Sequence, residues 1–258
     1  MISLERLESY YPHNLRHFKK NIMREYLQYK ILDIIFNSNT GDKLSFMGVT
    51  SLRIIYNNSR FSEDLDFDNF SLTQAEFTLL SEKIKKGLEL EGYSTETKNV
   101  FRGAYRCYIK IPKILFDNKI SMLPKEKIII QVDTEPQNFN YKPERKIINK
   151  FDVFTEISTT PLDILLSQKI YASLNRERAK GRDFWDIIFL LQKTKPNYDY
   201  LYKKLDIKTS ADLKDRFIKD LTSVDFNELA KDVEPFLFSP AEAKKIKLFL
   251  EYIKQIEI

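Results

Sequence analysis

Three aspartates at alternate positions, Asp64, Asp66 and Asp68, interleave with Leu65 and Phe67 in the run Arg60-Phe-Ser-Glu-Asp-Leu-Asp-Phe-Asp-Asn. Side chains on a strand alternate between faces, so this spacing turns three carboxylates one way and Leu65 and Phe67 the other, into a core. Mutual repulsion among the carboxylates is relieved by a cation, and a hard divalent ion with oxygen ligands is the natural candidate. A solvated strand face is the other reading of the same run. A calcium loop also begins Asp-x-Asp-x-Asp, but it requires Gly at position six and Glu at position twelve, where this chain has Asn69 and Ala75. That chemistry is excluded.

Phosphoryl transfer needs two carboxylates at i and i+2 on a strand, a small-residue turn upstream for the phosphates, and usually a third carboxylate on a neighbouring strand. The chain supplies all three. The turn is Met47-Gly-Val-Thr-Ser51, where helix-start amides and hydroxyls can hold phosphate. The third carboxylate is Asp133, closing the run Lys-Ile-Ile-Ile-Gln-Val-Asp. Other nucleotide motifs fail. The six glycines, at 41, 48, 87, 92, 103 and 181, cannot build a dinucleotide fingerprint, and Tyr93-Ser94 follows the one pair with P-loop spacing.

These residues need elements to carry them. Apolar residues at steps of three or four between Asn14 and Asn37 predict a long amphipathic helix. Lys43–Met47 reads as a strand, Thr50–Tyr56 as a short helix, Asp64–Asp68 as the acidic strand, and Thr73 to Leu90 as a threonine-capped helix. Tyr93–Val100, Ala104–Ile111 and Lys127–Asp133 are β-rich runs, which brings the expected strands to about five. Beyond Pro161 the period is helical, with segments near 161–175, 183–193, 210–221 and 240–256. The expected fold is α+β: an α/β domain over residues 1–155 and a helical domain over 156–258.

The 258 residues are 43% hydrophobic and 31% charged, which is ordinary globular usage and argues against disorder. No apolar run approaches the ~20 residues of a membrane span. The start lacks a signal-peptide pattern, so a cytoplasmic address is expected. The lone Cys107 can form neither an internal disulfide nor a thiolate zinc cluster. The net charge of +5 lies wholly in residues 1–150, with 24 Lys and Arg against 19 Asp and Glu, which permits a polyanionic partner.

The run from Phe46-Met-Gly-Val-Thr-Ser-Leu-Arg to Arg60-Phe-Ser-Glu-Asp-Leu-Asp66 resembles the AbiEii/AbiGii nucleotidyltransferase-like toxins of the polymerase-beta-type superfamily. Downstream, Asp133 falls at the family's third-carboxylate position. Leu165-Leu-Ser-Gln-Lys-Ile-Tyr-Ala172 resembles its lysine-containing helix, and Arg182-Asp-Phe-Trp-Asp-Ile-Ile188 its Arg-Asp-x-x-Asp helix. The resemblance implies a polymerase-beta-like core, a mixed sheet with flanking helices, followed by a helical C-terminal half. It implies a magnesium- or manganese-dependent nucleotidyltransferase, the toxin of a toxin–antitoxin or abortive-infection system. That enzyme would move a nucleoside monophosphate from an NTP to RNA, tRNA being one case, or to a protein.

The implied metal ligands are Asp64, Asp66 and Asp133, with Lys169 as a catalytic contact to the triphosphate. Gly48, Thr50, Ser51, Arg60, Ser62, Arg182 and Asp183 are the implied nucleotide-binding residues, and a cognate antitoxin the implied partner. Val49 stands where the family has a second glycine, and its Cβ limits positive φ and close approach to phosphate. That departure keeps open a nucleotide-binding effector impaired in transfer. Arg106, Tyr108 and Lys110 share one strand face opposite Cys107, Ile109 and Ile111, which suits either an RNA-binding surface without catalysis or a solvated sheet. His13 and His17, at i and i+4, have no evident third zinc ligand, and Trp185 reads as a core anchor.

Overall fold

The structure, a computed structural model, describes residues 2–258. Two compact units are formed: one holds the chain up to Asn57 together with Phe61–Thr160, the other Asn58–Arg60 together with Pro161–Ile258. No helix among the described residues is long and apolar enough to cross a membrane.

The first unit runs α1 (Leu4–Ser9), α2 (Lys19–Phe36), β1 (Leu44–Met47), α3 (Gly48–Tyr56), β2 (Leu65–Asn69), α4 (Gln74–Leu90), β3 (Glu96–Arg102), β4 (Ala104–Pro112), α5 (Ile114–Asp117), β5 (Lys127–Glu135), β6 (Glu144–Lys150) and β7 (Val153–Thr159). It is an α+β unit with one mixed seven-stranded sheet in the order β3-β4-β5-β2-β1-β7-β6. Strand β1 is antiparallel to β2 and parallel to β7, and β2 is parallel to β5. Alternation builds the core: Ile128, Ile130 and Val132 of β5 are buried, while Ile129, Gln131 and Asp133 take the other face. Helices α2 and α4 pack on the sheet. Helix α4 begins where its threonine predicts, with Thr73 and Glu76 closing a reciprocal capping box that satisfies two otherwise orphaned amides.

The second unit holds α6 (Leu162–Asn175), α7 (Gly181–Leu191), α8 (Tyr198–Leu205), α9 (Ser210–Leu221), α10 (Phe226–Val233), α11 (Lys244–Lys247) and α12 (Phe249–Gln255). Its core includes Phe184, Phe217 and Phe249, with Phe249 edge-on to the other two at 4.8 and 5.5 Å between centroids. Such aromatic pairs favour edge-to-face packing.

Several expectations need correction. The helix expected from Asn14 starts at Lys19, after a separate 3-10 turn at His13–Leu15, so the two histidines do not share a helix face. It is not amphipathic through its middle either, because Arg24, Glu25, Gln28 and Lys30 are buried with its apolar residues. The sheet has seven strands rather than five. Strand β6 was hidden by its four charged residues, and its pairing with β7 by a turn that uses Phe151 at φ 60°, not an Asn-Gly pair. Helices α8 and α10 were not expected, and the expected helix over 240–256 is broken into a 3-10 turn at Pro240–Ala243, α11 and α12. Cys107 is buried, and Trp185 is buried with its indole N–H donating to Asn58 Oδ1 at 3.0 Å.

Candidate active site

Register assembles the site. Met47 on β1 pairs with Asp66 on β2, Asp66 with Asp133 on β5, and Asp133 with Arg106 on β4. These four residues form one row across adjacent strands, which brings Asp66 and Asp133 side by side. Asp64 lies just before β2, and its ties come from its neighbours: Thr50 Oγ1 donates to the Asp64 carbonyl. Buried Gln28 on α2 donates to the carbonyls of Ser62 and Glu63 at 3.1 and 3.0 Å, and Arg24 pairs with Glu63 at 2.6 Å. A buried amide thus fixes the approach to the acidic strand.

The turn upstream is shaped around Asp66. Gly48 has φ +73°, and a Cβ there would lie 2.3 Å from Asp66 Oδ2. Ser51 Oγ donates to the Gly48 carbonyl at 2.7 Å. Helix α3 begins at Gly48 with Met47 as N-cap and no side-chain cap, and its first turn carries no acidic residue. Met47 thus offers the leading amides no side-chain cap, and a helix start favours an anion. Val49 is not among the residues with positive φ. The conformation that only glycine tolerates well is needed at Gly48 alone, so Val49 does not strain the turn. Helix α3 is anchored from behind by Arg53, which reaches buried Glu25 at 2.8 Å; Lys150 and the Tyr11 hydroxyl meet the same carboxylate at 2.7 and 2.8 Å.

Electrostatics sets Asp64 and Asp133 apart from ordinary carboxylates. Burial, with repulsion from Glu63 and Asp133, pushes the Asp64 carboxyl above its usual range. Burial also pushes Asp133 up, against the pull of Gln131 and Arg106. Gln131 Nε2 donates to Asp133 Oδ2 at 2.6 Å, while Arg106 Nε stands 3.3 Å from Oδ1. That Oδ1 is buried and makes no aligned hydrogen bond. Among the described residues no three His, Cys, Asp or Glu side chains converge as a ready-made metal cluster. The donor set nonetheless suits a hard divalent cation: oxygen-only carboxylates, two with raised pKa, and one buried oxygen lacking a hydrogen bond.

Asp68, on the same strand, has a different task. It is buried, accepting from the Gln137 amide and the Tyr141 hydroxyl, each at 2.9 Å. The expected open face of three carboxylates therefore ends at Asp66.

The other expected residues, apart from Ser62 of the first unit, gather in the second unit. Arg60 is 2% exposed and grips Asp186 through two hydrogen bonds of 3.0 and 2.8 Å, while Asn58 donates to the same carboxylate at 3.1 Å. Lys169 lies 3.3 Å from Asp183 and 3.1 Å from Asp186, and Arg176 is 3.3 Å from Asp183. Burial opposes the charge on Asp186, but Arg60 and Lys169 outweigh it and hold the carboxyl below its usual range. Arg60, Lys169 and Asp183 are thus brought together as a buried ion-pair cluster, and a phosphate contact by Arg60 would require its pair with Asp186 to open. Arg182 stacks over Phe236 at 4.4 Å. Ser62 is half-buried, and its carbonyl serves Gln28.

Sequence reasoning missed Gln28, Arg24 and Glu25 as supports of the site and Asp186 as the partner of Arg60. Their signal was polarity inside an apolar helical run.

Comparison with known proteins gives a family and a fold. The family described as "Nucleotidyl transferase AbiEii toxin, Type IV TA system" matches residues 30–252. Among solved structures, JHP933 from Helicobacter pylori is 18% identical, with a TM-score of 0.56 over 90% of this chain and 91% of that one. MenT4, the nucleotidyltransferase toxin Rv2826c from Mycobacterium tuberculosis H37Rv, is 14% identical, with a TM-score of 0.56 over 100% of this chain and 91% of that one. At these identities the likeness is one of fold. No curated protein matches by sequence.

Proposed function

Because this chain belongs to the AbiEii family of nucleotidyl transferase toxins of type IV toxin–antitoxin systems, we propose that it moves a nucleoside monophosphate from an NTP to a hydroxyl of RNA, tRNA included, or of a protein. The ion would be Mg2+ or Mn2+, held by Asp64, Asp66 and Asp133. Bound there, it would neutralise charge developing on the reacting phosphate. The observation that carries this reading is the row of Asp66 and Asp133 on adjacent parallel strands, with Gly48 pressed against Asp66 at the start of α3.

In the reaction the acceptor oxygen attacks the α-phosphorus, the bond to the β-phosphate oxygen breaks, and pyrophosphate leaves. As an alternative to completing the ion site, Asp133 would take the hydroxyl proton. The uncapped amides of α3 orient the triphosphate, and the hydroxyls of Thr50 and Ser51 hold the turn in shape for it. The assignment of Arg60, Ser62, Lys169, Arg182 and Asp183 to the nucleotide follows the family resemblance, and within the second unit Arg60, Lys169 and Asp183 belong to the ion-pair cluster. An antitoxin is the expected partner, following the family's type IV organisation.

The test is to incubate the protein with each NTP labelled at the α-phosphate, with Mg2+ or Mn2+, and with total RNA and cellular protein. Label should appear in one acceptor class with an equal release of pyrophosphate. Label that stays in free nucleotide under all conditions would overturn the reading in favour of a nucleotide-binding effector. RNA retention without label transfer, lost on replacing Arg106 and Lys110, would favour a sheet-based RNA-binding module.

A further inference from the structure

Two arginine–aspartate pairs in this chain differ sharply in geometry. Arg60 and Asp186 are almost wholly buried and joined by two short hydrogen bonds. A planar guanidinium locked in that way is part of the scaffold. Arg106 and Asp133 face each other across β4 and β5, but the Arg106 side chain is 39% exposed, its Nε stands 3.3 Å from Oδ1, and neither atom completes an aligned hydrogen bond. The first pair is clamped; the second is loose, its facing atoms buried while the rest of the Arg106 side chain reaches solvent.

The loose pair sits where a divalent ion is needed. Asp133 is the carboxylate next to Asp66, and Gln131 already fixes its other oxygen, Oδ2, at 2.6 Å. The oxygen turned toward Arg106 is therefore the one left to meet a cation. A guanidinium stays charged at any relevant pH, so it cannot yield that oxygen by losing a proton and must move aside. Its exposure leaves it room to do so.

We propose that Arg106 is a positioning residue that stands in for the divalent ion at Asp133, keeping the carboxylate charged and aimed, and competing with the ion for Oδ1 until displaced. This rests on the metal-site reading given above. It goes beyond that reading in assigning a resident competitor that lowers the affinity of the nucleotide-free protein for its metal. Loading is then favoured when a substrate phosphate arrives to receive the displaced guanidinium, which bonds phosphate oxygens bidentately.

The experiment is direct Mn2+ binding to the nucleotide-free protein, followed by the loss of the free-ion electron paramagnetic resonance signal and by calorimetry. Arg106→Met keeps much of the apolar stem and removes the charge, and should tighten Mn2+ binding by roughly tenfold. Arg106→Lys should fall between, since a compact ammonium offers no planar fork. Lys110→Met removes the same charge from the same strand, at a position paired with Ile129 and Glu96, not Asp133, and should change affinity by less than about twofold. Equal or weaker Mn2+ binding by Arg106→Met, with binding by the unsubstituted protein intact and lost in Asp66→Asn, would overturn the competition and leave the metal site standing. An unsubstituted protein without Asp66-dependent Mn2+ binding would overturn both.

Discussion

Replacing Gly48 by alanine tests the packing of the turn against the acidic strand with a single methyl group. The new Cβ would lie 2.3 Å from Asp66 Oδ2 and 3.0 Å from both Cβ and Cγ of Asp66, in a residue already at φ +73°. Left-handed backbone costs an L-residue about 1–2 kcal/mol. Overpacking of this kind adds about 1–3 kcal/mol. The sum, about 2–5 kcal/mol, corresponds to a melting temperature lower by roughly 4–20 °C for a unit of this size. To regain ordinary contact the carboxylate oxygen must retreat by about 1 Å, and misplacement on that scale costs on the order of a hundredfold in rate.

The assay pairs calorimetric melting with label transfer, run well below the lowered melting point. A second background separates the two contributions. In Asp66→Ala the carboxylate is gone and only the 3.0 Å approach to Cβ remains, so Gly48→Ala should cost little more than the backbone part, about 1–2 kcal/mol. An equal penalty in both backgrounds would show that the methyl does not meet Asp66. Full turnover by Gly48→Ala would refute the placement of Asp66 at the reacting phosphate.

Asp66→Asn should abolish transfer with the fold retained, and Asp64→Asn should abolish transfer while raising the melting temperature of the metal-free protein. The second effect follows from sign: a carboxyl whose folded pKa is raised favours the fold when neutral, and that contribution is lost as pH rises through the folded value. Asp68→Asn should mainly destabilise, because Tyr141 and the Gln137 amide lose a charged acceptor, and should retain more transfer activity than Asp133→Asn; the reverse order of activities would make Asp66 and Asp68 the working pair. Lys169→Met should lower stability by about 1–3 kcal/mol, less than a bare buried charge would cost because Arg60 and Arg176 still face the two aspartates; an unchanged melting temperature would contradict the cluster. Asp186 has a depressed folded pKa, so its contribution is present above the unfolded value of about 3.9 and lost as pH falls through the folded one. Melting temperatures taken from pH 5 down to about 2 should fall more steeply in the unsubstituted protein than in Asp186→Asn.

What could be read from the sequence was local. Asp66 and the buried Leu65 and Phe67 follow from strand alternation, and the start of α4 from a cap that spans three residues. The turn at Gly48 was legible because glycine in front of hydroxyl residues at a helix start has few other uses. Asp68 was misjudged because its burial depends on Tyr141, 73 residues away, and no periodicity records that contact. Arg60 carried a motif that suggested phosphate, yet its observed partner lies 126 residues downstream. The polar residues inside α2 broke the apolar pattern visibly, but pattern alone does not say that Gln28 holds the carbonyls of Ser62 and Glu63. Pairing between distant residues of opposite polarity is the part that alternation and helical period leave out.

The placement of Asn58–Arg60 within the second unit has a consequence for synthesis. Arg60 leaves the ribosome 126 residues ahead of Asp186, so at about 5–20 residues per second it waits roughly 6–25 s for its counter-ion. During that interval the peptide leading from Arg60 into the acidic strand lacks the contact that anchors its start. A chain truncated anywhere before Asp186 carries Asp64, Asp66 and Asp133 but not the partner that fixes Arg60. The order of translation thus leaves the threading of these three residues incomplete until most of the chain exists.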